Sequence, residues 1–147
     1  MTPTLDTFQE ISSLKTRLLA LPSALAGARR EAAEATSRAA TDKEAIKQAE
    51  AEVLLLVSGE TVTESTADGK PGKVKPAYAN AESRTAEAGR RLATDPRHQA
   101  RVAQFAEADA ERVRTAIAVQ QLEDEHRALR GVADLTVAEV SLLTAGH

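Results

Sequence analysis

The sequence predicts an all-α protein: a long antiparallel helical hairpin or coiled coil with a turn-rich central insertion and a short C-terminal helix. About one residue in five is alanine, whereas the 147 residues include no Trp, one Tyr and two Phe. Apolar residues recur in the first third at the alternating spacings of a helical seam. Gly and Pro are concentrated between residues 58 and 79. We therefore expect residues 1–147 to form a single helical domain built on alanine-rich helices.

A heptad pattern predicts the first long helical region, residues 4–57. Only Asp42 is polar among the positions that alternate by three and four residues, and these positions form a nearly continuous a/d seam. The larger side chains of this seam are the candidates for oligomer or helix contacts: Ile11, Leu14, Leu18, Leu21, Leu25, Ile46, Val53 and Leu56. Smaller alanines fill most of the positions between them.

Pro22 is the main interruption of this region, because proline removes an intrahelical hydrogen-bond donor. The seam keeps its register on both sides of Pro22, which favours one helix with a kink near residues 21–22. The alternative is a short helix over 4–20 and a second helix that begins with Pro22 at its first position.

Residues 58–79 differ abruptly in composition from the helical region before them, and they are predicted to form either a flexible loop or a small β-hairpin. Five Gly and Pro residues interrupt any helix here, and Asp68-Gly69 has the chemistry of a tight turn. The polar and apolar residues alternate at Thr61–Thr63 and Lys73–Lys75, so these two segments could pair. Such a hairpin is marginal unless it packs on the helices.

The second helical region is predicted over 80–133, with Asn80 as its N-cap. A break is expected at 94–96, where Asp95 can cap a restarted helix and Pro96 can occupy its first position. Thr136 and Glu139 have the spacing of a capping box, which predicts a separate terminal helix over 136–144.

Composition narrows the functional classes. The chain has no Cys and a net charge of −3, which argue against disulfides, thiolate chemistry and general binding to polyanions. No secretory signal is visible, and the longest apolar run, 53–57, falls far short of the roughly 20 residues that a bilayer requires. We expect a soluble cytoplasmic protein, in the host cytoplasm if it is phage-encoded, with no membrane contact.

The candidate chemistry is weak. Glu123 and His126 have the Glu-x-x-His spacing of carboxylate-bridged metal sites, but those sites need a second copy of the motif, which the chain lacks. His126 is in step with apolar neighbours and is better explained as a seam or boundary residue. We expect no catalytic residues, no metal, no cofactor and no small-molecule substrate.

The middle of the chain alone is basic, with seven basic and five acidic residues over 61–98. This segment is the candidate for contact with nucleic acid, with one aromatic side chain that could stack on a base. Interspersed acidic residues favour a solvated surface instead. The candidate contact residues are Lys70, Lys73, Lys75, Tyr78, Arg84, Arg90, Arg91 and Arg97.

The segment from Gly72-Lys73 through Tyr78, Asn80 and Arg84, followed by Leu92 and Asp95-Pro96, resembles a pattern in small uncharacterised helical (coiled-coil hairpin) proteins of tailed bacteriophages and prophages. The resemblance covers residues 45–132 in outline, and the insertion over 61–70 is longer here. Genes of that type often lie near recombination genes, including those of single-strand annealing proteins. The resemblance therefore implies an accessory role on single-stranded DNA.

The function expected from the sequence is that of a non-enzymatic helical interaction protein, a phage or prophage accessory protein that forms a homo-oligomer or binds a protein partner. One alternative is a single-stranded nucleic-acid-binding module of phage recombination, which would use the basic segment. Another is a virion assembly scaffold or chaperone, which shares every sequence feature of the first.

Overall fold

The structure is a computed structural model that describes residues 5–65 and 71–145, with side chains described for 9–64 and 72–142. Helix accounts for 88% of the described residues, so the prediction of a mostly α-helical hairpin is confirmed. A small two-stranded sheet lies in the middle of the chain. The elements in order are α1 (Leu5–Gly59), β1 (Thr61–Ser65), β2 (Pro71–Pro76), α2 (Ala81–Thr94) and α3 (Pro96–Ala145).

The chain divides into two compact units, each containing part of α1 and part of α3. The terminal unit comprises Met1–Thr36 with Ala110–His147, and the central unit comprises Ser37–Asp109. In the terminal unit α1 packs against α3. The central unit adds the two strands and α2 to its portions of the long helices.

Helix α1 continues without a break through Pro22, so the alternative of two separate helices is wrong. Three of its buried residues are alanines, Ala35, Ala39 and Ala49, whereas the nearest large seam residues, Leu25 and Ile46, are only partly covered. A buried alanine face allows a neighbouring helix to approach closely, since interaxial distance depends on the side chains at the contact.

The buried face of α1 drifts away from the predicted heptad near the C-terminal end of the helix. Leu56 is 68% exposed, and Val57 takes the buried position with 1% exposure. Ala39 and Val57 lie eighteen residues apart, which is five turns of an undistorted helix with 3.6 residues per turn. The prediction of Leu56 in the seam is therefore wrong for packing within the chain, because a strict 3.5-residue repeat drifts by about 20° per heptad on such a helix.

The two strands form an antiparallel ribbon, in which Val62 pairs with Lys75 and Thr63 with Val74. The register shifts after Thr63, so that two residues of β2 oppose the single residue Glu64. Gly72 is required at this bulge, because a Cβ there would lie 1.7 Å from the carbonyl oxygen of Glu64. A backbone hydrogen bond of 2.8 Å from the Ala77 amide to the Glu60 carbonyl closes the base of the ribbon.

Helix α2 begins as predicted at the Asn80 cap. The Asn80 carboxamide oxygen accepts a 2.7 Å hydrogen bond from the Ser83 amide, and Ser83 completes a capping box. The predicted break at 94–96 is also observed, because α2 ends at Thr94 and α3 begins at Pro96. Asp95 caps α3 through a 2.9 Å hydrogen bond accepted from the Arg97 amide.

Helix α3 does not end near residue 133, so the predicted separate helix over 136–144 is wrong. The helix is continuous from Pro96 to Ala145. Thr136 does not cap a new helix; its hydroxyl donates a 2.9 Å hydrogen bond to the Val132 carbonyl, one turn earlier. Gly131 alone weakens a helix by about 1 kcal/mol relative to alanine, which is too little to end it without a proline nearby.

Replacing Pro22 with alanine should stabilise the protein. Proline at this interior position leaves the Leu18 carbonyl without its helical donor, and its ring crowds the preceding turn. We expect Pro22→Ala to raise the free energy of unfolding by about 2 kcal/mol in urea denaturation. Ser23→Ala, at the exposed next position, is the matched control and should change it by only a few tenths of a kcal/mol. A loss of stability in Pro22→Ala would contradict a continuous helix.

Candidate interaction surfaces

An apolar groove runs between α1 and α3 in the terminal unit. It has a volume of about 240 Å³ and opens to solvent. Its α1 side includes three of the predicted seam residues, of which Ile11 and Leu14 are exposed and Leu18 is half-buried. The remaining lining residues are Lys15, Leu129, Ala133, Thr136 and Val137.

Two ion pairs connect α1 with α3 in the terminal unit. The Arg17 guanidinium donates hydrogen bonds of 2.5 and 3.0 Å to the Glu125 carboxylate, which raises the pKa of Arg17 and lowers that of Glu125. Arg29 donates a 2.7 Å hydrogen bond to Glu123. Both arginines are largely exposed, so solvent and salt screen these ion pairs and they contribute little to stability. These contacts fix the pairing of the helices more than they stabilise it.

A polar cleft of about 610 Å³ lies on the same unit beside Arg29 and Glu123. His126 lines it and is half-buried, which agrees with the boundary position expected from the sequence. In the central unit, His98 is also half-buried, and its Nδ1 atom is shielded from solvent without a partner among the described residues.

The most connected charge cluster lies in the central unit. The Arg91 guanidinium donates hydrogen bonds to Glu60, which lies between α1 and β1, and to Glu87, one turn earlier on α2. Arg90 donates two further hydrogen bonds to Glu87, of 2.9 and 2.8 Å. These bonds from Arg90 and Arg91 lower the pKa of Glu87 to about 2. The Glu60 bond is the main reason that the pKa of Arg91 is raised, and a contact with Tyr78 adds to it.

Three of the predicted nucleic-acid contact residues are already paired with carboxylates in the structure. Arg90 and Arg91 are held by carboxylates, and Lys75 forms a 2.7 Å ion pair with Glu64 across the ribbon. Within the described chain, Lys73, Arg84 and Arg97 have no ion-pair partner, and Lys70 lies outside the described residues. Paired and unpaired cations therefore alternate along the segment.

The predicted seam residues have very different environments. Leu21 is buried, whereas Leu25, Ile46 and Val53 are half-buried. Ile11 and Leu14 are exposed at the N-terminal end of the described side chains, and Leu56 is exposed at the other end of α1 beside Leu54 and Leu55. The ribbon adds exposed Val62 and Val74, one on each of its faces.

Sequence reasoning missed an apolar surface near the end of α3. Large aliphatic side chains are exposed there over residues 132–142, namely Val132, Leu135, Val137, Val140 and Leu142. The prediction of a separate terminal helix over 136–144 concealed this surface, because it divided these residues between two elements. Plotting the residues on one continuous helix would have revealed large apolar side chains over most of its circumference, apart from the side that carries Asp134 and Ser141.

No group of three or more His, Asp or Glu is arranged to hold a metal ion within residues 5–65 and 71–145. Over the same part of the chain, none of the helices combines the length and apolar character needed to cross a membrane. Comparison of the chain with protein-family models, with curated proteins and with solved structures finds no match.

Acid should weaken the ion pairs that the Glu87 carboxylate forms with Arg90 and Arg91 within α2. The pKa of Glu87 is lowered from 4.5 to about 2 in the folded chain, so its contribution is fully present above pH 4.5 and is lost as pH falls through about 2. We expect Glu87→Gln to lower the urea midpoint of unfolding more at about pH 6 than at about pH 3.

The matched control for this experiment is Glu82→Gln, because Glu82 is an exposed carboxylate in the first turn of the same helix. Its effect on the urea midpoint should be small at both pH values. Equal destabilisation by Glu87→Gln at the two pH values would contradict the assigned role of the Glu87 carboxylate.

Proposed function

We propose that this protein is a non-enzymatic helical interaction protein that self-associates, and that it serves as an accessory protein of a phage or prophage. The resemblance of the segment from Gly72 to Arg84 to small helical phage proteins supports the second part. The distribution of apolar side chains supports the first part. Self-association is the activity that the following observations favour.

The observation that carries this proposal is the imbalance between buried and exposed apolar residues. Among the side chains that the structure describes, Leu21, Val57 and Leu92 are the only large apolar ones that are buried, and the other buried residues are alanines. Sixteen large aliphatic side chains of the described residues are exposed. A protein with this distribution leaves most of its apolar side chains available for contact with another surface.

The total exposed area supports the same conclusion. A compact folded monomer of 15.6 kDa exposes about 7,300 Å², whereas this chain exposes 11390 Å². Small helical proteins gain most of their stability from burying apolar faces against other elements. Association would provide the burial that the packing of α1 on α3 leaves incomplete.

Contact with nucleic acid is supported less well. Binding to a phosphate backbone requires several cations that are free to replace counterions. Of the predicted contact residues, Lys75, Arg90 and Arg91 are already engaged with carboxylates. The geometry therefore favours association between proteins as the main function.

Sedimentation velocity of the purified chain tests this proposal. Between about 1 and 100 μM the sedimentation coefficient should increase by mass action as oligomers form. Raising the salt concentration to about 1 M should not dissociate them, because apolar contacts are not screened as charge contacts are. A strictly monomeric particle over the whole concentration range would contradict the proposal.

A further inference from the structure

The β-ribbon is not attached to the helices by buried side chains. The side chains described for its two strands, over residues 61–64 and 73–76, are all exposed, including Val62 at 52% and Val74 at 65%. A two-stranded ribbon is marginal in water unless it packs on another element. The position of the ribbon relative to α2 therefore depends on the segments that connect it to the helices.

These two connections are short and meet at the base of the ribbon. Glu60 alone lies between α1 and β1, and residues 77–80 lie between β2 and α2. The Ala77 amide, in the second connection, donates its 2.8 Å hydrogen bond to the Glu60 carbonyl in the first. A group that binds both connections at this point would hold the whole ribbon in place.

The Arg91 guanidinium of α2 binds both connections. Two of its nitrogen atoms donate hydrogen bonds to the two carboxylate oxygens of Glu60, and the bond to Oε2 is 2.8 Å long. The same side chain contacts Tyr78, in the second connection. Its Nε atom donates a 2.7 Å hydrogen bond to Glu87, which orients the guanidinium from within α2. One side chain of α2 therefore holds a residue on each side of the ribbon.

This attachment is accessible to solvent. The side chains of Arg91 and Glu60 are 35% and 40% exposed. Ion pairs with such exposure are screened by salt and contribute little to stability. Local opening requires little free energy where few buried apolar contacts are broken. The ribbon can therefore detach from Arg91 while the helices remain folded.

We propose that Arg91 is a charge-dependent latch for the ribbon formed by β1 and β2. When the latch is closed, Arg91 binds Glu60 and Tyr78, and the ribbon has one position relative to α2. When the latch is open, the strands remain paired and the ribbon moves about its two connections. The latch thus determines whether the exposed Val62 and Val74 are presented in a fixed place. Arg91 is a positioning residue in this arrangement, and the inference is independent of self-association.

The distance between two spin labels reports the position of the ribbon. The chain has no Cys, so Val74→Cys on β2 and Ala86→Cys on α2 introduce two thiols at exposed positions. Dilution with unlabelled chain restricts the measurement to distances within one copy. Pulsed dipolar spectroscopy of this labelled background should give one narrow distance distribution. We expect Arg91→Gln to broaden the distribution at least about twofold, because the ribbon then lacks its attachment to α2.

Arg90→Gln is the matched control. Arg90 is the neighbouring arginine of α2, and its hydrogen bonds go to Glu87 within the same helix. Its substitution should leave the distance distribution unchanged. Glu60→Gln should broaden the distribution as Arg91→Gln does, and the double variant should broaden it no further than Arg91→Gln alone, since both substitutions remove the same contact.

Salt tests the dependence of the latch on charge. Raising the NaCl concentration from about 0.05 M to about 1 M reduces the screening length to about 3 Å, so the distribution should broaden in the labelled background. The same change should have little effect on Arg91→Gln. A distribution in the labelled background that does not respond to salt would contradict a charge-dependent latch.

The variants decide between the latch and a general structural role. A distribution that stays narrow in Arg91→Gln, or one that broadens equally in Arg90→Gln, would overturn the inference. So would a distribution that is equally broad in every variant at low salt. Glu60 lies outside the helices, so Glu60→Gln keeps the test decisive if Arg91→Gln lowers the helix content measured by circular dichroism.

Discussion

The packing of small side chains on one face of α1 is the constraint on which the rest of the structure depends. Ala35, Ala39 and Ala49 are buried there, and they leave room for another helix to lie close to the α1 backbone. Close approach buries backbone and Cβ surface but little side-chain volume. The result is an interior of limited depth, in which Leu21, Val57 and Leu92 are the only large buried residues described.

Two features of the molecule follow from this shallow interior. The ion pairs of Arg17 with Glu125 and of Arg29 with Glu123 connect α1 with α3, but the exposure of both arginines means that these pairs contribute little to stability. The large aliphatic residues that the alanine face cannot cover remain on the outside, above all over residues 132–142. The packing within each unit therefore determines which aliphatic side chains stay exposed, and these side chains are the ones available for contact with another molecule.

Local signals in the sequence predicted the ends of several elements. Asn80 and Asp95 cap helices because their side chains bond to nearby backbone amides, which depends only on neighbouring residues. The same reasoning failed at Thr136, where a capping-box spacing occurs inside a helix and the hydroxyl bonds to the preceding turn. The heptad pattern wrongly placed Leu56 on the buried face of α1. The number of residues per turn of the actual helix, and not a strict heptad repeat, determines which residue is buried. Pairing of Lys75 with Glu64 and of Arg91 with Glu60 depends on contacts between elements, which spacing along the chain does not reveal. The pairs of Glu87 with Arg90 and Arg91 lie three and four residues apart on α2, so the sequence alone could have indicated them.

The most direct test of this account is the free energy of unfolding of Ala35→Leu, compared with that of Ala33→Leu. Ala35 is 1% exposed, whereas Ala33 lies on the exposed side of the same helix. If close packing on the alanine face holds the helices together, Ala35→Leu should lower the free energy of unfolding by about 1–3 kcal/mol in urea denaturation. Ala33→Leu should change it by less than about 0.5 kcal/mol. Equal stability of the two variants, or stabilisation by Ala35→Leu, would contradict the central claim.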